Sequence, residues 1–261
     1  MLTLEYLLEE AQLSGTPTNK RRAVLREYLQ TIVLNTIYRG KHGSSMFFCG
    51  GTALRFFHRL PRFSEDLDFN TKTLTADGFK HLIKDIKSSL DQEGFSASAG
   101  QTSRDTLLSA NIVFEDVMSR YGITDQREAS IAVKLETNKP PWPIHTESHV
   151  LSMYGYNFTA VLTSNSGLVS EKTCALMERT RGRDIYDLLF MLRKRFPFDL
   201  ELLKARGVQE PKKRIIERLN GLSEKDLQRL AKQVQPFLFK EDDTELILKA
   251  PQYAEKFLEE Y

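Results

Sequence analysis

Residues 50–70, GGTALRFFHRLPRFSEDLDFN, constrain this chain more than any other stretch. A glycine pair precedes a short helical run from Thr52 to Arg59, Pro61 closes that run, and the DLDFN segment beyond it alternates acidic and apolar residues. Side chains i and i+2 of a strand share a face. A strand over residues 66–70 therefore projects Asp66 and Asp68 together and turns Leu67 and Phe69 into a core. Glycine lets the backbone approach a ligand closely, and the first turn of a helix offers unpaired N–H groups to an anion. Two neighbouring carboxylates beside such a turn make a hard-oxygen donor set of the kind that holds Mg²⁺ in phosphoryl or nucleotidyl transfer.

The rest of the chain arranges itself around that segment. Val24, Leu25, Leu29, Ile32, Val33 and Ile37 recur at helical spacing and predict a helix over residues 19–39. Residues 44–49 read as a short buried strand ended by Gly50 and Gly51. Phe79, Leu82, Ile83, Ile86 and Leu90 predict an amphipathic helix over 75–93. Alternating runs at 107–115, 129–137 and 158–163 predict strands, and Pro140, Pro141 and Pro143 mark an exposed connection. From Ser164 onward the period is helical throughout, so a boundary between a mixed α/β part and a helical part falls near residues 164–170. The fold class expected is α+β (mixed α/β), with a small mixed sheet followed by helices.

A third carboxylate from a neighbouring strand commonly completes a two-metal site. In IAVKLETN, Ile131, Val133 and Leu135 share one face while Lys134 and Glu136 share the other, which makes Glu136 the candidate and Glu115, at the end of the preceding strand, its rival. Thr52 either donates its hydroxyl to a phosphate or caps its helix. Ser64 shapes the turn before the aspartates. Arg55 and Arg62 flank the motif and either reach a phosphate or lie solvated on the surface. Downstream, Glu171, Lys172, Ala175, Leu176 and Arg179 follow helical spacing, and Asp184 opens the next helix after a TRGR segment. Asp184 is read in two ways: a cap or a salt-bridge partner of Arg179 or Arg183, or a group contacting nucleotide. Tyr186, Leu188 and Leu189 read as core, and Asp187 as part of a polar network rather than a metal ligand.

These two segments resemble the nucleotidyltransferases of DNA polymerase β type, and most closely the AbiEii-type toxins (AbiEii/AbiGii, with the MenT group among them). The first motif of that family, a Gly-Gly/Ser-Thr helix start followed by S-x-D-x-D-F, is matched by Gly50, Gly51, Thr52, Ser64, Asp66, Asp68 and Phe69. The second, an E-K…A-L…R…R-D-x-Y-D-L helix pair, is matched by Glu171, Lys172, Ala175, Leu176, Arg179, Arg183, Asp184, Tyr186, Asp187 and Leu188. The resemblance implies a polymerase β-like nucleotidyltransferase core with N-terminal helices over residues 1–165, and a helical domain completing the active site over 166–261. It implies Asp66, Asp68, Lys172 and Asp184 as catalytic residues, Mg²⁺ on Asp66 and Asp68, and an NTP cradled by Gly50, Gly51, Thr52 and Ser64 with Lys172 on its outer phosphates; Glu136 stays the candidate third metal ligand read from its strand face, with Glu115 as its rival. It further implies the toxin of a bacterial toxin–antitoxin or phage-defence (abortive infection) system, a cognate antitoxin as partner, and the 3′ end of tRNA as acceptor. Transfer to a small molecule or protein is the alternative, as is a binding protein that has lost catalysis on the same fold.

The remaining features narrow the possibilities. Cys49 and Cys174 sit among apolar residues without zinc spacing, which predicts buried thiols in a reducing compartment. The five histidines show no zinc spacing either, and neither G-x-S-x-G nor a Walker-type loop is present. No signal-peptide pattern opens the chain and no apolar run approaches the ~20 residues that span a bilayer, so the expectation is a cytoplasmic protein without a membrane partner. The net charge of +2 is too small to demonstrate a nucleic-acid partner, yet basic clusters occur at 20–22, 179–183, 193–195 and 212–214.

Overall fold

The structure, a computed structural model, describes residues 1–104, 106–126 and 128–261. It divides into two compact units that are not contiguous in sequence. The first comprises residues 1–57, 65–140 and 146–162, and the second comprises 58–64, 141–145 and 163–261.

In the first unit the elements run α1 (Leu4–Leu13), α2 (Arg21–Arg39), β1 (Phe47–Cys49), α3 (Gly50–His58), β2 (Asp66–Asn70), α4 (Ala76–Gln92), β3 (Ala97–Arg104), β4 (Leu107–Phe114), α5 (Val117–Arg120), β5 (Ile131–Asn138), β6 (Thr146–Met153) and β7 (Tyr156–Thr163). Among the described residues the strands form one seven-stranded mixed sheet in the order β3-β4-β5-β2-β1-β7-β6. The central pair, β2 and β5, is parallel, and β4 and β1 flank it antiparallel on either side. Leu67, Phe69, Ile131, Val133 and Leu135 are fully buried on one face, where Ile83, Ile86 and Leu90 of α4 meet Ile112 of β4. The sheet is larger than expected, because β3 and β6 were not anticipated. Both are edge strands, and their sequences, ASAGQTSR and TESHVLSM, expose most positions and carry little apolar alternation.

Arg55 is neither solvated nor directed at a ligand. It is buried, with Nε 2.7 Å from Glu27 Oε1 and Nη2 donating to Thr16 Oγ1 at 2.6 Å. This ties α3 to α2 and to the turn after α1. Cys49 and Cys174 are both buried, and burial pushes the Cys174 thiol up to about 11. No helix of the described residues is long and apolar enough to cross a membrane.

The second unit contains α6 (Asn165–Glu178), α7 (Gly182–Arg193), α8 (Leu200–Ala205), α9 (Pro211–Asn220), α10 (Glu224–Val234), α11 (Glu245–Leu248) and α12 (Ala250–Glu259). Helix α7 is its axis, packed by α6, α10, α11 and α12. Ile185, Tyr186, Leu188, Leu189, Met191 and Leu192 are buried on it, which agrees with the core role expected of Tyr186, Leu188 and Leu189. The segment 58–64 folds into this unit as a strap. Phe63 N–H donates to Phe237 O at 2.8 Å, Phe239 N–H donates to Pro61 O at 3.1 Å, and the Phe63 and Phe239 rings lie 4.9 Å apart. Arg62 is therefore not a surface residue. It is 2% exposed and forks onto Asp187, Nε to Oδ1 and Nη2 to Oδ2 at 2.7 Å each, while Nη1 donates to Phe63 O.

Two outcomes follow from this packing. A Cβ at Gly182 lies 2.2 Å from the Leu230 carbonyl oxygen, a backbone atom that cannot turn aside, so Gly182→Ala should lower stability by about 1–3 kcal/mol; urea unfolding measures it. Arg62→Met leaves the Asp187 carboxylate buried with one partner fewer and should lower stability by about 3 kcal/mol at neutral pH. Burial by itself would raise the Asp187 pKa, but Arg62 and then Lys172 overcome it and hold the carboxyl below its ordinary value. A depressed carboxyl stabilises above its unfolded pKa and loses that contribution as pH falls through the folded one. The wild type should therefore lose stability below about pH 4 more steeply than Arg62→Met, a difference read from unfolding curves across pH 2–7.

Candidate active site

Gly50 joins β1 to α3 with φ +73°, a left-handed conformation natural to glycine. An added Cβ there would lie 2.3 Å from Asp68 Oδ2, so the Asp68 carboxylate rests directly against the Gly50 backbone. Of the predicted cradle, Gly50 is half-buried, whereas Gly51 and Thr52 are buried. The Thr52 hydroxyl donates to the Asp66 carbonyl and pins the first turn of α3 to β2. Ser64 is buried in the second unit.

Strand pairing sets the rest of this constellation. Along β2 and β5, Asp66 pairs with Lys134 and Asp68 with Glu136, and β4 continues the two rows with Asn111 and Ser109. Residues paired across a sheet point to the same side. One face therefore carries Asp66, Asp68, Lys134 and Glu136 together, all partly exposed, opposite the buried Leu67 and Leu135. Lys134 Nζ lies 2.7 Å from Glu136 Oε1. The bond to Glu136 is the main cause that raises the Lys134 pKa; burial opposes it, and the charges of Glu136, Asp66 and Asp68 add to it.

The candidate third ligands stand differently. Glu115 follows Phe114, which pairs with Ile131, so it lies at the opposite end of β5 from Glu136 and cannot join the aspartates; its side chain accepts from Ser96 instead. Glu136 has the right face and row, but its Oε1 is engaged by Lys134. Among the described residues no three His, Cys, Asp or Glu side chains form a group that could hold a metal ion. The donor set presented is the pair Asp66 and Asp68. Its two hard oxygen anions, half-exposed beside a glycine too close to bear a side chain, fit a divalent cation such as Mg²⁺.

The second unit gathers the downstream motif into one ion-pair cluster. Lys172 Nζ on α6 lies 3.1 Å from Asp184 Oδ1 and 3.0 Å from Asp187 Oδ2, both on α7. Arg179 Nε approaches Asp184 Oδ2 at 3.2 Å, and Arg62 completes the set through Asp187. Asp184 is buried and lies in the first turn of α7, whose N-cap is Arg181, so it is a salt-bridge partner and not a cap. Burial pulls the Lys172 pKa down, but Asp187 and Asp184 outweigh it and leave the ammonium above its ordinary value, charged at any physiological pH. Arg62, Lys172 and Arg179 meet two carboxylates, so the cluster carries one positive charge in excess. Sequence reasoning placed Asp187 in a polar network and offered Arg179 as a partner of Asp184, but it read Lys172 as a phosphate ligand without foreseeing its two carboxylate partners, and it missed the pairing of Arg62, which sits 125 residues from Asp187 with no local signal. It also gave no role to Lys134, whose signal was present: one residue of separation from Glu136 in a predicted strand.

Comparison with known proteins bears on the fold and on the family. A Helicobacter pylori protein described as a nucleotidyltransferase is 20% identical with a TM-score of 0.59, over 92% of this chain and 96% of that one. The JHP933 protein of Helicobacter pylori is 19% identical with a TM-score of 0.55, over 92% and 93%. MenT4, a nucleotidyltransferase toxin of Mycobacterium tuberculosis H37Rv, is 17% identical with a TM-score of 0.58, over 98% and 90%. At such identities these likenesses establish the fold. No curated protein matches the sequence. Residues 32–258 match the family described as "Nucleotidyl transferase AbiEii toxin, Type IV TA system", which covers most of the chain. The chain belongs to this family: it is an AbiEii-type toxin nucleotidyltransferase.

Proposed function

We propose that this enzyme uses Mg²⁺ to transfer an NMP from an NTP to the 3′ end of a tRNA, with Asp66 and Asp68 as the metal-holding pair. The family supplies the NTP as substrate and an antitoxin as partner. One observation carries the metal-dependent chemistry: two carboxylates side by side on β2, the second pressed against a glycine at φ +73°. In the transfer the acceptor hydroxyl oxygen bonds to the α-phosphorus, the bond from that phosphorus to the bridging oxygen breaks, and pyrophosphate leaves. Bound on the pair, the cation lowers the pKa of the acceptor hydroxyl and offsets charge on the phosphates. Asp66 and Asp68 orient that charge. Gly50 keeps the backbone low enough for the substrate to approach Asp68. The cluster around Lys172, with its excess positive charge, binds phosphate oxygens, and Asp184 and Asp187 hold the ammonium in place.

The acceptor assignment is supported by the exposed basic side chain of Arg181, which can meet an RNA backbone, and by the exposed Arg179 to the extent that its pairing with Asp184 allows. The clusters at 193–195 and 212–214 support it less, since Arg195, Lys213 and Arg214 pair with Glu260, Glu210 and Glu217.

Asp66→Asn should reduce transfer of labelled NMP by about three orders of magnitude or more and abolish growth arrest, with the fold intact by circular dichroism. Mass analysis of tRNA 3′ ends after incubation with each NTP and Mg²⁺ tests the acceptor; label recovered in protein or a small molecule, with tRNA unchanged, would refute it. Gly50→Ala forces a side chain into the space of Asp68 Oδ2 and a strained φ, so transfer should fall about tenfold or more while the core persists. Parallel assays of transfer and thermal unfolding check both halves of that expectation.

A further inference from the structure

The face that carries Asp66 and Asp68 also carries a cation and a third acid of its own. Lys134 is the cross-strand partner of Asp66, Glu136 is the cross-strand partner of Asp68, and the two are joined at 2.7 Å between Nζ and Oε1. The four residues form two adjoining rows on neighbouring strands. Glu136 stands beside Asp68, where it could supply an oxygen to any cation that Asp68 holds. Lys134 is placed to prevent this. Its ammonium reaches along β5 to occupy the Glu136 carboxylate, and it lowers the charge of the face from three negative charges to two.

We infer that Lys134 is a positioning residue that withholds Glu136 from the metal and so sets the divalent-cation affinity of the Asp66–Asp68 pair. This rests on the metal-binding reading of those aspartates. Two carboxylates with a tethered ammonium beside them bind a hard cation more weakly than three carboxylates do. Removing the ammonium releases Glu136 toward the cation. The effect must therefore run through Glu136, not through a general change of surface charge. Lys134 is half-exposed, so its replacement leaves the buried face of β5, with Ile131, Val133 and Leu135, untouched.

The test is titration of the full chain with MnCl₂ alone, without nucleotide, followed by calorimetry or by the electron paramagnetic resonance of free Mn²⁺. Wild type, Lys134→Met, Lys134→Gln, Glu136→Gln, the double variant Lys134→Met/Glu136→Gln and Asp66→Asn are compared. Lys134→Met and Lys134→Gln should each bind Mn²⁺ about tenfold more tightly than wild type. In the Glu136→Gln background, adding Lys134→Met should change the Kd by less than about threefold. Unchanged or weaker binding by both Lys134 variants overturns the inference, as does a tightening that persists undiminished in the double variant. Asp66→Asn separates the two levels of the argument. If it binds Mn²⁺ as wild type does, the metal reading of the aspartates fails; if it loses binding while the Lys134 variants match wild type, only the role of Lys134 fails.

Discussion

The parallel register of β2 against β5 is the constraint on which the rest of the first unit depends. It sets Leu67 beside Leu135 in the core and, in the same stroke, Asp66 beside Lys134 and Asp68 beside Glu136 on the opposite face. A slip of one residue would turn one strand over against the other, burying its two charged side chains and exposing its apolar ones, so the apolar face enforces the polar arrangement. The Thr52 hydroxyl reinforces the same register from outside the sheet by fastening α3 to the Asp66 carbonyl. Gly50 turns the chain in a left-handed conformation, and Asp68 lies against it.

The second unit solves a different problem. Arg62, Lys172, Asp184 and Asp187 bring charges to the packed side of α7, where desolvation opposes them. Geometry offsets that penalty: the guanidinium of Arg62 meets both oxygens of Asp187, and the Lys172 ammonium lies between two carboxylates. Such a cluster contributes modestly to net stability but allows few alternative arrangements. Its reward is position, since a long lysine side chain with four rotatable bonds is held to one place. The strap of residues 58–64 exists in this unit because Arg62 belongs there and because Phe63 and Phe239 pair above it.

Legibility in the sequence followed burial. Helix α4 and strands β2, β4 and β5 each bury one face, so their apolar residues repeat with the period of the element and could be read directly; α2 was read from its apolar spacing, although it is buried on all sides from Glu27 to Leu34. Strands β3 and β6 lie at the sheet edges and carry little such period. The aspartate pair was legible because strand alternation alone places Asp66 and Asp68 on one side. The fates of Arg55 and Arg62 were not, because a charged residue beside a helix reads as solvated until a buried partner is known. Glu27 and Asp187, which bury them, lie 28 and 125 residues away. Glu136 was legible as a candidate by its face, and Lys134 stood on that face too, but only the structure joined the two.

The amino-acid sequence by itself therefore determined which side chains share a strand face, where the glycine turn falls, and which helices carry the lysine and the aspartates of the downstream motif. These are local properties, governed by periods of two and 3.6 residues and by the conformational range of glycine. Tertiary structure alone decided that Asp68 rests on Gly50, that the Thr52 hydroxyl fastens α3 to β2, that Lys134 holds Glu136, and that Arg62 is enclosed with Asp187. Each of these is a partnership between distant segments or within a packed surface, and no periodicity encodes which distant group will arrive to neutralise a charge.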